Sequence, residues 1–132
     1  MFDLTTKILV IDDMMAMRKV VKKILKDLGF SDIHEAADGN QAWEKIQTEG
    51  FGLVISDWNM PNCSGLELLK RVRDSQFKNL PFVLVTAEAE AHQVSAAVSS
   101  GVDQYVVKPF TQDGLKTKLG MAYKKCAARK SA

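Results

Sequence analysis

The chain has 132 residues, 46% hydrophobic and 26% charged, which is typical of one globular domain with its own apolar core. Eighteen Lys and Arg against sixteen Asp and Glu leave a formal net charge of +2, too small to indicate a nucleic acid or a membrane surface as partner. Cys63 and Cys126 lack the spacing of a disulfide framework or a zinc site. Since no apolar run is long enough to cross a bilayer and MFDLTTK does not have the pattern of a signal peptide, we expect a cytoplasmic protein.

Five short apolar runs alternate with stretches of helical spacing. The predicted strands are Lys7–Ile11, Ile33–Ala36, Leu53–Ser56, Phe82–Thr86 and Gln104–Val107. The first, third and fourth runs are almost continuously apolar, as in parallel strands that helices cover on both faces. The alternation predicts a (βα)5, doubly wound α/β fold with a five-stranded parallel sheet and right-handed crossovers.

The helical stretches carry apolar stripes between these strands. Gly29 is the predicted stop of the first helix, and Asp38-Gly39-Asn40 is a predicted turn. The stripes are Met17, Val20, Val21, Ile24, Leu25 and Leu28 in the first helix, Leu66, Leu69 and Val72 in the third, and Leu115, Leu119 and Ala122 in the last.

Polar side chains stand at the ends of four predicted strands. Asp12 and Asp13 follow the first strand, Asp57 follows the third, and Thr86 and Lys108 come at the ends of the fourth and fifth. The carboxyl ends of parallel strands lie at one edge of the sheet, where open α/β folds bind their ligands. We therefore expect these five residues to converge.

Each of these residues also has a purely structural interpretation. Asp12 or Asp13 can cap the first helix, and Asp57 suits a loop that begins a turn. Thr86 can cap a helix, and Lys108 can be a surface lysine. A purely structural explanation requires all of these interpretations to be true at the same sheet edge. Such a coincidence is improbable, so we favour a shared site.

The charges at this edge require compensation. Two carboxylates about 5 Å apart repel by roughly 3 kcal/mol at an effective dielectric constant of about 20. A hard cation with oxygen ligands, such as Mg²⁺, fits among three acids, and Lys108 adds a second positive charge. Asp57 is the best candidate for a nucleophile that forms an aspartyl-phosphate, while Asp12 and Asp13 hold the metal and Thr86 bonds to the phosphoryl group.

Four stretches together resemble the receiver domain of two-component response regulators. They are ILVIDD, VISDWNMPNCSGLELLKRVR, LPFVLVTAEAE and YVVKPF. The resemblance covers essentially the whole chain and is strongest to the single-domain receivers of bacterial chemotaxis. It implies a flavodoxin-like sheet of strand order 2-1-3-4-5, one receiver domain over residues 1–132 with no output domain, and a cis Lys108-Pro109 peptide bond.

The resemblance also implies the acceptor and the metal ligands. Asp57 would be the phosphoacceptor, and Mg²⁺ would bind Asp13, Asp57 and the backbone carbonyl of Asn59. Asp12 would complete the acidic pocket, acting on the metal through water.

Further roles follow from the same resemblance. Lys108 and Thr86 would contact the phosphoryl group, and Thr86 and Tyr105 would form the switch pair. Asn59 and Glu88 would tune autodephosphorylation. The chain would be a phosphoacceptor signalling protein rather than an enzyme, limited to self-phosphorylation from small donors and to autodephosphorylation.

The implied partners are proteins. A sensor histidine kinase would donate the phosphoryl group, a flagellar motor switch protein would be the target of the phosphorylated monomer, and a phosphatase can take part. A phosphate sink or a regulator outside motor control is the alternative. Cys63-Ser64-Gly65 and Met14-Met15 depart from the sequences usual in this family.

Two other classes of protein share parts of this pattern. A phosphatase of the haloacid dehalogenase type also uses an aspartate nucleophile at a strand end, but it needs a second acid two residues later, where this chain has Asn59. A flavodoxin-like electron carrier needs a hydroxyl-rich phosphate loop, whereas IDDMMAMRK is acidic at that place. Cys63 is interpreted as a plain loop residue because no cationic neighbour in sequence lowers its pKa.

Overall fold

A computed structural model describes residues 1–87 and 91–131, in which strands and helices alternate. The strands are β1 (Ile8–Ile11), β2 (Ile33–Ala36), β3 (Leu53–Asp57), β4 (Phe82–Thr86) and β5 (Gln104–Val107). The helices are α1 (Met15–Asp27), α2 (Gly39–Glu49), α3 (Gly65–Arg73), α4 (Ala91–Ser99) and α5 (Gln112–Ser131). The predicted α/β alternation is confirmed.

The strands form one parallel sheet in the order β2-β1-β3-β4-β5. In the register of the sheet, Ile11 lies between Ala36 and Ser56, and Thr86 is paired with Val107. The carboxyl ends of the central strands are therefore level with one another. This alignment brings the polar residues that follow them to a common edge.

Two predicted boundaries shift because of specific hydrogen bonds. β3 extends to Asp57, which is paired with Val85, and the N–H of Trp58 donates to the Val85 carbonyl at 2.9 Å. The turn predicted at Asp38-Gly39-Asn40 is instead the start of α2, where the Asp38 carboxylate caps the helix by accepting the Gln41 N–H at 2.8 Å. The first strand begins at Ile8 rather than at Lys7.

Side chains of each strand alternate between two apolar layers. Leu9 and Val54 point toward α2 and α3, and Val10 and Ile55 point toward α1 and α5. Val20 was predicted for the core stripe of α1, but it is exposed because the buried face of that helix runs through Val21 and Leu25. Among the described residues, none of the helices combines the length and apolar character that a bilayer crossing requires.

A buried ion cluster lies at the amino ends of β4 and β5. The Asp103 carboxylate, fully buried, accepts the Phe82 N–H at 2.8 Å and Arg73 Nη2 at 3.0 Å. Arg129, near the end of α5, donates to the same carboxylate, with Nη2 3.3 Å from Oδ2. One acid thus joins α3, the sheet and the last turns of α5.

We expect Asp103→Asn to lower the free energy of unfolding by about 3 kcal/mol, because two guanidinium groups would lose their shared counter-charge inside the protein. Denaturant unfolding measures this loss. The matched control is Asp27→Asn, which removes the exposed pair with Lys23 and should change stability by less than about 0.5 kcal/mol. Equal, small losses in the two variants would contradict the importance of the buried cluster.

Candidate functional site

The Lys108 ammonium group joins two acids at the carboxyl edge of the sheet. Its Nζ lies 3.1 Å from Oδ1 of Asp57 and 3.5 Å from Oδ2 of Asp12. Asp12 is buried and Asp57 is half-buried, with 6% and 12% of their side chains exposed. Charge-assisted bonds of this kind are stronger than neutral ones, so Lys108 ties the ends of β1 and β3 to the end of β5.

Asp12 uses its two carboxylate oxygens differently. Oδ1 accepts the N–H of Met14, which is the N-cap residue of α1, at 2.9 Å. Oδ2 faces Lys108. Asp12 therefore fixes the backbone just before α1 and belongs to the charged site. The helix-capping interpretation of Asp12 is wrong, because the N-cap residue of α1 is Met14 and no side chain caps that helix.

The three acids predicted to converge do so. One carboxylate oxygen from each of Asp12, Asp13 and Asp57 lies within 4.8 Å of the others. Asp12 is buried, Asp57 is half-buried and Asp13 is exposed, which leaves the cluster open to solvent on one side. This all-oxygen, acidic donor set fits a hard divalent cation such as Mg²⁺, which binds one or two carboxylates and retains several waters.

Burial raises the pKa of Asp57 above its ordinary value. The hydrogen bond and charge of Lys108 act in the opposite direction, and the negative charge of Asp12 reinforces the effect of burial. The Asp57 carboxylate therefore lacks full compensation by the protein. A cation bound beside it would supply what Lys108 alone does not.

The backbone on the far side of Asp57 is packed against the start of α3. The Gly65 N–H donates to the Trp58 carbonyl at 2.9 Å, and a Cβ at Gly65 would lie 2.3 Å from the Asp57 carbonyl oxygen. Ser64 caps α3, and its side chain and that of Glu67 form a reciprocal capping box. Sequence reasoning missed Gly65, since this close approach depends on how a helix meets a strand.

The other predicted site residues occupy three different places. Thr86 is buried at the end of β4, and its carbonyl accepts the Lys108 N–H at 2.8 Å. Tyr105 is half-buried on β5, with the Lys118 ammonium 5.2 Å from its ring centroid. Asn59 is exposed in the loop after β3, and Glu88 lies outside the described residues.

Two further predictions concern residues next to the site. The predicted cis bond between Lys108 and Pro109 is present. Cys63 is buried against Gly39, where an added Cβ would lie 2.6 Å from its Sγ, and burial raises the pKa of the thiol. The Cys63 side chain therefore packs the loop against α2 and lacks the low pKa of a reactive thiol.

Comparison with known proteins gives consistent matches along the chain. The sequence model of the response regulator receiver domain family matches residues 8–120. The chemotaxis protein CheY-3 of Vibrio cholerae is 44% identical over 120 residues, covering 90% of this chain and 92% of that protein. The chemotaxis protein CheY of Pseudomonas aeruginosa is 46% identical over 114 residues, covering 86% and 92%.

A solved structure agrees in three dimensions. The chemotaxis protein CheY4 of Vibrio cholerae superimposes with a TM-score of 0.82 at 34% identity, covering 89% of this chain and 98% of that one. The backbone that carries the site is thus shared over nearly the full length of that protein.

We expect Gly65→Ala to destabilise the protein by about 1–3 kcal/mol, because the new methyl group would overlap the Asp57 carbonyl and push α3 away from β3. The matched control is Gly120→Ala in α5, where an added Cβ meets nothing within 4 Å and should stabilise the helix by about 0.5–1 kcal/mol. Thermal and denaturant unfolding measure both. A Gly65→Ala protein as stable as the wild type would show that the contact is not as tight as described.

Proposed function

The chain belongs to the response regulator receiver family, and on that basis we propose that it is a cytoplasmic, phosphorylation-controlled switch in bacterial chemotaxis. Receiver domains accept a phosphoryl group and pass a signal to another protein, so this is a signalling protein rather than a catalytic enzyme. The two relatives named as chemotaxis proteins support the assignment to that pathway. We assign the whole of residues 1–132 to one receiver domain.

Asp57 is the proposed phosphoacceptor. It ends the central strand β3, where it is half-buried beside the Lys108 ammonium. Asp12 is less suited to attack a phosphoryl group, because one of its oxygens binds the Met14 N–H and the other faces Lys108. Asp13 is exposed and lies at the open side of the cluster. The convergence of the three acids within 4.8 Å of one another is the observation that carries this proposal.

The acidic pocket is the proposed Mg²⁺ site. Asp13, Asp57 and the backbone carbonyl of Asn59 would hold the ion, and Asp12 would act through water. When bound, Mg²⁺ supplies positive charge that stabilises the transferring phosphoryl group. The sensor histidine kinase of the pathway, or a small donor such as acetyl phosphate, would deliver that group.

Lys108, Thr86 and Tyr105 are the proposed readers of phosphorylation. Lys108 is already 3.1 Å from Asp57 and would contact the phosphoryl oxygens. Thr86 lies in the neighbouring strand, and its carbonyl accepts a hydrogen bond from the N–H of Lys108. A movement of Lys108 would therefore be transmitted to Thr86. Tyr105 would change position with Thr86. Asn59 and Glu88 are proposed to tune autodephosphorylation.

The proposed target docks beside Tyr105. A groove of about 370 Å³ is lined there by Tyr105, Phe110, Thr111 and Lys118 among other residues of β5 and α5. The adjoining helix is basic, with Lys116, Lys124 and Lys125 exposed, which suits an acidic segment of a partner. We propose that this partner is a flagellar motor switch protein and that the chain acts as a monomer.

The acceptor assignment is tested with Mg²⁺ and acetyl phosphate. Wild-type protein should gain the mass of one phosphoryl group, and Asp57→Asn should not, because an amide cannot act as the nucleophile. Intact-mass spectrometry at short times measures the difference. Glu44→Gln is the matched control, since it also replaces one carboxylate by an amide but lies on the exposed face of α2.

The control should be labelled as fast as the wild type. Labelling of Asp57→Asn at the wild-type rate would place the acceptor elsewhere. Labelling of the wild type that is unchanged by removal of divalent cations with EDTA would overturn the role of Mg²⁺.

A further inference from the structure

Arg18 of α1 contacts the backbone of the acidic pocket. Its Nη1 donates to the backbone carbonyl of Asp12 at 2.7 Å, and its Nε donates to Oε1 of Glu35 at 3.1 Å. Only 15% of the side chain is exposed. We propose that Arg18, anchored by Glu35, is a positioning residue that orients the Asp12–Asp13 peptide and thereby sets the affinity of the pocket for a divalent cation.

This peptide needs such support because it lies beyond the end of the strand ladder. The Asp12 N–H donates to the Ala36 carbonyl at 3.2 Å, which continues the pairing of β1 with β2 by one bond. The Asp12 carbonyl lies past this last bond, and it accepts a hydrogen bond from the guanidinium group of Arg18.

Glu35 holds the guanidinium in place. Its second oxygen accepts Lys22 Nζ at 3.0 Å, so that two cations of α1 share one acid on β2. Burial raises the pKa of Glu35, but the hydrogen bonds and charges of Lys22 and Arg18 outweigh burial and lower it below the usual value. Glu35 therefore stays ionised at neutral pH and keeps Arg18 oriented toward Asp12.

The position of Asp13 depends on this peptide. Asp13 is the exposed member of the three acids, and it follows the carbonyl that Arg18 binds. A planar guanidinium with two bonds restricts the peptide more than a single flexible contact would. Groups that orient metal ligands in this way commonly change metal affinity 10- to 100-fold when they are removed.

Charge alone predicts the opposite effect. Arg18 carries a positive charge behind a cation site, so its loss should tighten Mg²⁺ binding if only electrostatics matters, and high salt should reduce the difference. If Arg18 acts by positioning, its loss should weaken binding in low and high salt alike. The sign of the change therefore separates the two roles.

The experiment is a Mg²⁺ titration without phosphodonor, followed by tryptophan fluorescence, since Trp58 adjoins Asp57. We expect Arg18→Gln to weaken Mg²⁺ binding about 10-fold, and Arg18→Lys to weaken it too, because lysine retains the charge but not the fork. Lys22→Met is the matched control: it removes the other cation from Glu35, leaves Arg18 on Asp12, and should bind Mg²⁺ within about 2-fold of the wild type.

Thermal unfolding in EDTA, measured on the same variants, separates stability from affinity. If Arg18→Gln does not fold, Glu35→Gln is the second variant. Because loss of its negative charge would weaken Mg²⁺ binding by charge alone at low salt, the positioning role requires that it weaken binding beyond the Lys22→Met control in high salt as well. Unchanged or tighter Mg²⁺ binding by folded Arg18→Gln overturns the inference, and so does unchanged binding by Glu35→Gln when only that variant folds.

The inference rests on the proposed Mg²⁺-dependent function, and the titration distinguishes the two failures. A wild-type protein that does not bind Mg²⁺ overturns both. A wild-type protein that binds Mg²⁺ as the Arg18 variants do overturns the positioning role alone.

Discussion

The contact of one ammonium group with two buried carboxylates sets the arrangement of the site. Lys108 follows β5, Asp12 follows β1 and Asp57 ends β3, and only a parallel sheet with level carboxyl ends brings the three together. The pairing is incomplete, because Asp13 lies within the same 4.8 Å cluster and leaves three acids beside one lysine. An excess of negative charge at a partly open edge is what a divalent cation would balance, and the same cation would offset the added negative charge of a phosphoryl group.

The opposite end of the sheet carries the reverse arrangement. There Asp103 is fully buried between Arg73 and Arg129, and its remaining bond goes to the Phe82 N–H. The Asp103 carboxylate is closed to solvent and supplied with donors, so the cluster holds the scaffold together. The two ends thus differ in role: the Asp103 cluster stabilises the sheet, and the acids at the other end form a donor set that fits a divalent cation.

The sequence allowed the edge to be predicted, since strand-end position alone brings Asp12, Asp57 and Lys108 together once the sheet is parallel. It did not reveal that Asp12 both accepts the Met14 N–H and faces Lys108, because a carboxylate can bind two partners through its two oxygens. Val20 fitted the apolar spacing of α1 and is nonetheless exposed, because spacing fixes a face of a helix only to within one position.

Contacts that other residues make with the backbone of the site could not be predicted from the sequence. Gly65 lies against the Asp57 carbonyl, and Arg18 binds the Asp12 carbonyl. Because every residue has a carbonyl, no local sequence motif identifies either contact. Glu35 is likewise a polar residue in a strand because it binds Arg18, and this contact forms only when α1 packs beside β2. A search for charged side chains at strand ends does not find residues that contact the main chain of a site.

The proposed function depends on the three acids acting together as one divalent-cation site. Titration of the wild-type protein with Mn²⁺, followed by paramagnetic broadening of backbone amide signals in NMR, tests this most directly. We expect the signals of Asp12, Asp13, Asp57, Asn59 and Lys108 to broaden first, those around Asp103 to persist, and excess Mg²⁺ to restore the spectrum. Broadening centred elsewhere, or spread evenly over the acidic surface, would contradict it.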